Sequence, residues 1–306
     1  MESQVKSSVL DVIGNTPVVR LGRLFADVDV VAKLEFMNPG GSIKDRMVRH
    51  MLRQLPADAA RVVESSSGNT GAALAMASAV LGLRCDVTLP DTTSTEKVRR
   101  IRAYGAEVHL CAPDGTGDPA QGYHAVAARI ARDDGAHHLD QYCSALNREA
   151  HYRDTGPELW EQLAGAIDVF VCGIGTGGTI SGIGRYLKEQ RRDIVVIGAE
   201  PLHSAYRKLV TDAPAQGVYD TVIEGVGKRQ PARSFDPAVV DDVVQVADDD
   251  AIAWCRRLAA REGILAGGSS GCVTAAIAQL GTALNGKRVA TVFPDSGAFY
   301  LSKYFG

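Results

Sequence analysis

Lys44 stands in the run Leu34-Glu-Phe-Met-Asn-Pro-Gly-Gly-Ser-Ile-Lys44-Asp-Arg46, where a strand gives way to a Pro-Gly-Gly turn and then to the first turn of a helix. The amino end of a helix carries partial positive charge, so stability alone would favour Asp or Glu there over Lys. An ammonium in such surroundings tends to shed its proton and become a nucleophile. Amines activated in this way form Schiff bases with carbonyl cofactors, pyridoxal phosphate above all. Taken alone, Lys44 reads first as a surface side chain lying beside Asp45 and Arg46 with its head in water.

Three glycine-rich loops at strand-to-helix junctions offer partners for such a cofactor. The first is Glu64-Ser-Ser-Ser-Gly-Asn-Thr-Gly71, after the Val62-Val63 strand and before an apolar helix. Its hydroxyls, amide and backbone N–H groups suit a carboxylate or a cofactor oxygen. A plain helix cap by Ser66 or Ser67, with Gly68 allowing the turn, accounts for part of it. One cap does not need three serines, an asparagine and a threonine.

The second loop, Gly173-Ile-Gly-Thr-Gly-Gly-Thr179, follows Val169-Phe-Val-Cys and leads into a helix. Close approach at a helix N-terminus suits a phosphate, with Thr176 and Thr179 adding hydroxyls. Gly173, Gly175 and Gly178 also satisfy the GxGxxG dinucleotide fingerprint, and Glu200 ends the next strand where a ribose would need an acid. Both alternatives place a phosphate here and leave the cofactor open. The third loop is Glu262-Gly-Ile-Leu-Ala-Gly-Gly-Ser-Ser-Gly271. Ser269 or Ser270 either caps the following helix or gives its hydroxyl to a cofactor's pyridine nitrogen. A neutral partner at that nitrogen suits β-elimination better than transamination.

Alternating elements position these loops. Short β-branched runs at 30–35, 61–64, 85–89, 107–112, 169–174, 194–199 and 288–293 predict buried strands. Helical patterns fall between them at 42–55, 69–83, 95–105, 118–133, 147–165, 177–190, 248–262 and 270–283. This alternation predicts an α/β fold with mostly parallel sheets covered by helices, and ligands beyond the carboxyl ends of the strands. Residues 211–235 are the least regular and read as a long functional loop.

The chain has 306 residues, 45% of them hydrophobic, enough for a large core and two lobes. A net charge of −3 with scattered basic residues leaves no footprint for nucleic acid. The longest apolar stretch, Ala72 to Leu83, is too short to span a membrane. No charged segment followed by an apolar one opens the sequence, so a cytoplasmic protein is expected. Six cysteines, at 85, 111, 143, 172, 255 and 272, are spread singly and read as reduced core residues, with no metal site expected.

Taken together, Asn38-Pro-Gly-Gly-Ser-Ile-Lys44-Asp-Arg46, Ser65-Ser-Ser-Gly-Asn-Thr-Gly71, Gly175-Thr-Gly-Gly-Thr179 and Gly267-Gly-Ser-Ser-Gly271 resemble the signatures of the cysteine synthase and cystathionine β-synthase family. The similarity runs from Gly14-Asn-Thr-Pro17 to Pro294-Asp-Ser296. It implies two αβα lobes with pyridoxal phosphate between them. The larger lobe would be 1–38 plus 148–306, and the smaller, which closes on substrate, 39–147. It further implies that Lys44 forms the Schiff base, that Asn69 bonds the ring hydroxyl, that Gly175, Thr176, Gly177, Gly178 and Thr179 hold the phosphate, and that Ser269 meets the ring nitrogen. Ser66, Ser67, Gly68, Thr70 and Gln141 match positions that grip a substrate carboxylate. Homodimers are common in the family.

The implied reaction is β-replacement on an O-activated L-serine by way of an α-aminoacrylate. Lys228 and Arg229, just after Gly225-Val-Gly227, suit a phosphate leaving group, which points to O-phospho-L-serine with O-acetyl-L-serine close behind. The stretches Leu21 to Val28, Phe36-Met37-Asn38 and Gln141 to Tyr152 are similar to diaminopropionate-pathway synthases, which use the amine of L-glutamate as nucleophile in building siderophores or antibiotics. Homocysteine is less expected. Two other classes stay in view: a nicotinamide-dependent oxidoreductase, which would leave Lys44 and Ser269 without a role, and a non-catalytic regulatory member of the family.

Overall fold

Val30, Val31, Ala32 and Leu34 are all buried along a single strand, and Val169 to Cys172 along another. Burial without alternation is what a strand covered on both faces requires. The computed structural model describes residues 5–66, 68–113, 118–211, 217 and 219–306. From the amino end its elements are β1 (Val18–Arg20), β2 (Asp29–Leu34), α1 (Lys44–Leu52), β3 (Arg61–Ser65), α2 (Asn69–Leu81), β4 (Arg84–Pro90), α3 (Thr95–Ala103) and β5 (Glu107–Cys111). Next come α4 (Tyr123–Asp134), β6 (His137–His138), α5 (Ala145–Ala150), α6 (Gly156–Gln162), β7 (Val169–Gly173), α7 (Gly178–Gln190) and β8 (Val195–Pro201). The chain ends with α8 (Arg207–Val210), β9 (Asp242–Val246), α9 (Asp248–Arg257), α10 (Gly268–Leu280), β10 (Arg288–Phe293) and α11 (Leu301–Tyr304).

The chain forms two compact units, one of Met1–Ile13 and Asn38–Ser144, the other of Gly14–Met37 and Ala145–Gly306. In the first, four parallel strands lie in the order β5-β4-β3-β6. Chain order runs outward from β3 through β4 to β5 on one side, with β6 on the other. The order therefore reverses between β3 and β6, where their carboxyl ends leave a crevice for a ligand. A core of Val63, Tyr123, Val126, Ala127 and Ile130 packs α4 against this sheet.

The second unit holds a six-stranded sheet, β1-β2-β10-β7-β8-β9, parallel except for β1. Its order reverses between β7 and β10, and Val289 of β10 pairs with Val169 of β7 on one side and Val30 of β2 on the other. Phe293, Val171, Val273 and Ile277 belong to the core that joins this sheet to α10. Each such side chain contributes roughly 1.5–3 kcal/mol by leaving water.

Three strands were not predicted: β1, β6 and β9. All three are sheet edges and only partly buried, so they lack the continuous apolar run that marks a central strand. The single helix predicted over 147–165 is α5 and α6 joined by a π turn at His151–Thr155. A second π turn, Leu258–Glu262, ends the helix predicted over 248–262. Among the described residues no helix is long and apolar enough to cross a membrane.

Candidate active site

Lys44 is the first residue of α1, and its N–H donates to Ser42 Oγ at 3.3 Å. Its neighbours do not form a solvated patch, because Asp45 and Arg46 are fully buried while Lys44 is half-buried. Asp45 reaches back to accept the Gly40 N–H at 2.6 Å, closing the Pro-Gly-Gly turn onto the helix and fixing where Lys44 begins. On the next turn Arg49 donates to the Ile13 carbonyl at 2.7 Å.

The loop after β3 and the segment after β6 meet at the reversal point of the first sheet. Thr70 donates its hydroxyl to Gln141 Oε1 at 2.8 Å, and Gln141 Nε2 donates to the Ser65 carbonyl at 3.2 Å. Ser66 Oγ accepts the N–H groups of Gly68 and Gly71, each at 3.1 Å, so the serine caps α2 from within the loop. Asn69 is the first residue of α2, half-buried. Ser67 lies outside the described residues.

Two residues here had no role assigned from the sequence. Glu64 is fully buried beneath the loop and faces the main-chain and side-chain N–H groups of Gln141. Burial first, and the charge of Asp140 second, push its carboxyl up to about 8, outweighing those N–H groups. It is thus mainly protonated at neutral pH. Ser65 Oγ is hydrogen-bonded to His124 Nδ1 at 2.6 Å, and the His124 ring meets the edge of Tyr142.

In the second unit the loop from Gly173 to Thr179 leaves β7 at the other reversal point. A Cβ on Gly175 would lie 2.2 Å from the Gly225 carbonyl oxygen, and one on Gly178 would lie 2.0 Å from Asn147 Oδ1. Neither position can carry a side chain, which leaves the backbone N–H groups at the start of α7 open to close approach. The surrounding residues hold the loop from behind. Tyr206 donates to the Gly175 carbonyl and Ser234 to that of Thr176, both at 2.6 Å, while Asn147 donates to Thr176 Oγ1 at 2.9 Å. Thr179 Oγ1 is hydrogen-bonded to His151 Nε2 at 3.2 Å, and His151 Nδ1 to Thr155 at 2.9 Å. Tyr206, Ser234, Asn147 and His151 come from distant segments, so no local spacing announces them.

Ser269 lies near the same place, since a Cβ on Gly225 would be 4.0 Å from its Oγ. The cap at the start of α10 is Gly267, with no side-chain hydrogen bond, so neither Ser269 nor Ser270 serves as the helix cap. Ser270 Oγ is buried without a hydrogen-bond partner among the described residues. The turn after β10 packs here too, where Gly267 donates its N–H to the Asp295 carbonyl at 3.0 Å. The donors present fit pyridoxal phosphate: backbone amides, of which that of Gly178 also reaches Thr176 Oγ1 at 3.4 Å, and threonine hydroxyls for a phosphate, with a serine beside them for a ring nitrogen. Arg229 is exposed, two residues beyond Gly227, whose N–H is fixed to the Ile174 carbonyl at 2.7 Å.

Glu200 does not play the part that a dinucleotide fingerprint requires. Its carboxylate is buried and accepts the N–H groups of Tyr206 and Arg207 at 3.1 and 3.0 Å and the Gln245 amide at 3.0 Å. Committed to capping α8, it is not left to a ribose, and the nicotinamide alternative falls.

Five cysteines are buried, and burial pushes the thiols of Cys85 and Cys255 up to about 12. Cys143 is exposed, contrary to its expected place in the core. Ligand-type atoms of Asp86, Glu107 and His109 lie within 4.8 Å of one another. Asp86 is already paired with Arg61 at 2.7 Å and His109 at 2.8 Å. Burial would raise its pKa, but those two partners outweigh burial and hold it below the usual carboxylate value.

Residues 9–295 match the family model described as pyridoxal-phosphate dependent enzyme. The chain is 38% identical to cystathionine β-synthase of Rattus norvegicus over 98% of its own length, and spans 55% of that protein. It is 36% identical to cysteine synthase B of Pseudomonas aeruginosa, covering 96% of each chain. A crystal structure of O-ureido-L-serine synthase superposes with a TM-score of 0.89 at 34% identity, over 98% of this chain and 95% of that one. The chain spans only about half the length of the cystathionine β-synthases it matches and nearly all of the other two. With glycine-rich loops leaving the strands at the two sheet reversals, and with that breadth of similarity, the chain belongs to the pyridoxal-phosphate dependent enzymes, in their cysteine synthase and cystathionine β-synthase branch.

Proposed function

We propose that this enzyme carries out β-replacement on an O-activated L-serine, with O-phospho-L-serine or O-acetyl-L-serine as the first substrate, in the manner of a cysteine synthase. The observation that carries this reading is the Thr70–Gln141 contact at the mouth of the loop from Ser66 to Thr70, which gathers hydroxyl and amide groups where an amino-acid carboxylate would sit. When bound, pyridoxal phosphate supplies the electron sink that lets an amino acid lose its α-proton and then its β-substituent.

The chain's own residues do the rest. Lys44 links the cofactor and, once displaced, takes the proton from the α-carbon and later returns one. Asn69 bonds the ring hydroxyl, Gly175 to Thr179 grip the phosphate, and Ser269 faces the ring nitrogen without adding charge. Ser66, Ser67, Gly68, Thr70 and Gln141 orient the carboxylate. Glu64, neutral at pH 7, adds no repulsion beneath it. Cysteine, cystathionine and O-ureido-L-serine, after which the similar proteins are named, all carry a heteroatom on the β-carbon of an L-amino acid, which supports the reaction class.

The exposed cation of Arg229, next to Lys228, favours a phosphate leaving group. Replacing Arg229 with alanine should raise KM for phosphoserine far more than for acetylserine; an equal effect on both would sink that assignment. A second reading uses the same chemistry with an amino-acid amine such as L-glutamate as nucleophile, favoured by the similarity of the segment from Gln141 to Tyr152 to diaminopropionate-pathway synthases. A cytoplasmic homodimer belongs to the same proposal, and light scattering in solution tests the dimer. The deciding experiment is a mass-spectrometric product screen pairing each activated serine with sulfide, glutamate and homocysteine. No product from any pair would overturn the reading.

A further inference from the structure

Of the four cations on helix α3, Lys97 and Arg100 lie three residues apart and so on one face. Arg100 donates to the Gly40 carbonyl in the turn that precedes Lys44. Lys97 lies against the loop after β3: a Cβ on Gly68 would meet its Cδ at 3.3 Å, its Cε at 3.5 Å and its Nζ at 3.7 Å. A Cβ at position 68 would press on the Lys97 stem at Cδ and lie in contact with its ammonium group. The glycine between Ser66 and Thr70, buried and at the cap of α2, makes room for Lys97.

The loop needs that charge. Two of its N–H donors, those of Gly68 and Gly71, are taken by Ser66 Oγ, and the Thr70 hydroxyl is given to Gln141. A carboxylate moved out of water onto this loop finds part of its donor set already engaged, and an uncompensated buried anion is costly. A half-buried ammonium over the loop offsets that cost. We infer that Lys97 is a binding residue for the α-carboxylate of the amino-acid substrate, held over the loop by the seating of α3 on Gly40 through Arg100. This rests on the proposed β-replacement reading for the location of the carboxylate.

The test uses the holoenzyme and the visible absorption of its cofactor, titrated with L-serine, which has the amino and carboxylate groups but a poor leaving group. L-serinamide, which lacks the negative charge, serves as the second probe. K97M should weaken L-serine roughly 10- to 100-fold, the scale of one charge-assisted hydrogen bond, and leave L-serinamide unchanged. K97R should retain part of the affinity, and added salt should weaken L-serine less in K97M than in the wild type. K97Q gives a second neutral variant should K97M fail to fold. Equal losses for both probes, or no loss for either, overturn the inference. A wild-type enzyme that responds to L-serine while K97M responds at the same concentration sinks the role of Lys97 alone; a wild-type enzyme with no response overturns the proposed function with it.

Discussion

Glu64 Oε2 accepts the Gln141 N–H at 3.4 Å and Glu64 Oε1 its side-chain amide at 3.5 Å, contacts too long to hold a buried carboxylate in its charged form. Native Glu64 therefore keeps its proton up to about 8, whereas its ordinary value is 4.5. Between those two pH values the native chain binds a proton that the unfolded chain has released. The stabilising effect is full below 4.5 and is lost as pH rises towards 8, at about 1.4 kcal/mol per unit. Glu64→Gln removes this dependence, so its melting temperature should gain on the wild type as pH increases from about 5 to about 8. A constant difference across that range would show Glu64 ionised in the native state.

Lys33 is fully buried in β2, donating to Glu158, to Gln162 at 2.7 Å and to the Thr16 carbonyl at 2.9 Å. Removing one partner of a buried pair strands the other. Glu158→Ala should destabilise by about 3–5 kcal/mol, and joining it to Lys33→Met should recover much of the loss. Denaturant unfolding of the two variants decides; additive losses would mean that the pair is not coupled.

Gly178→Ala would place a methyl group 2.0 Å from Asn147 Oδ1. The expected result is loss of bound cofactor after dialysis, with partial recovery in the double variant Gly178→Ala, Asn147→Ala. Absorbance of the retained cofactor is the measurement, and full retention in the single variant would remove the loop from the cofactor site.

Lys44→Ala should leave no cofactor attached to the chain after borohydride treatment, as read by the mass of the intact protein. A borohydride-fixed adduct in that variant would transfer the linkage to another lysine.

Cys143 is the exposed one of six free thiols. A disulfide reagent should label one thiol rapidly in the native protein and six after denaturation. Rapid labelling of two or more would contradict the burial of the others.

The central strands and the helices that follow them were legible because burial on both faces writes an unbroken apolar run into the sequence, as in Val169-Phe-Val-Cys. The edge strand β9, Asp-Val-Val-Gln-Val, is only half covered and shows no such run. The glycine loops were readable for a related reason, since a backbone that must be approached closely excludes side chains in a fixed pattern. What supports them was not readable. The cap by Ser66 was one of the alternatives the sequence offered, but Glu200 serves α8, and Asn147, Tyr206 and Ser234 reach the loop from Gly173 to Thr179 from other segments. Such contacts depend on the sheet order, and a linear pattern carries no record of it.

The π turn at His151–Thr155 holds one more residue than an α turn would. Deleting a residue inside that turn would only regularise the helix, whereas deleting one between Asn147 and His151, in α5, turns everything on one side by about 100° relative to the other. Asn147 and His151 could not both stay on Gly178 and Thr179 after such a rotation. Length between Asn147 and His151 is thus coupled to the support of a loop more than twenty residues away, and under the proposed phosphate role of that loop a deletion there will be read out as lost cofactor before it is read out as lost fold.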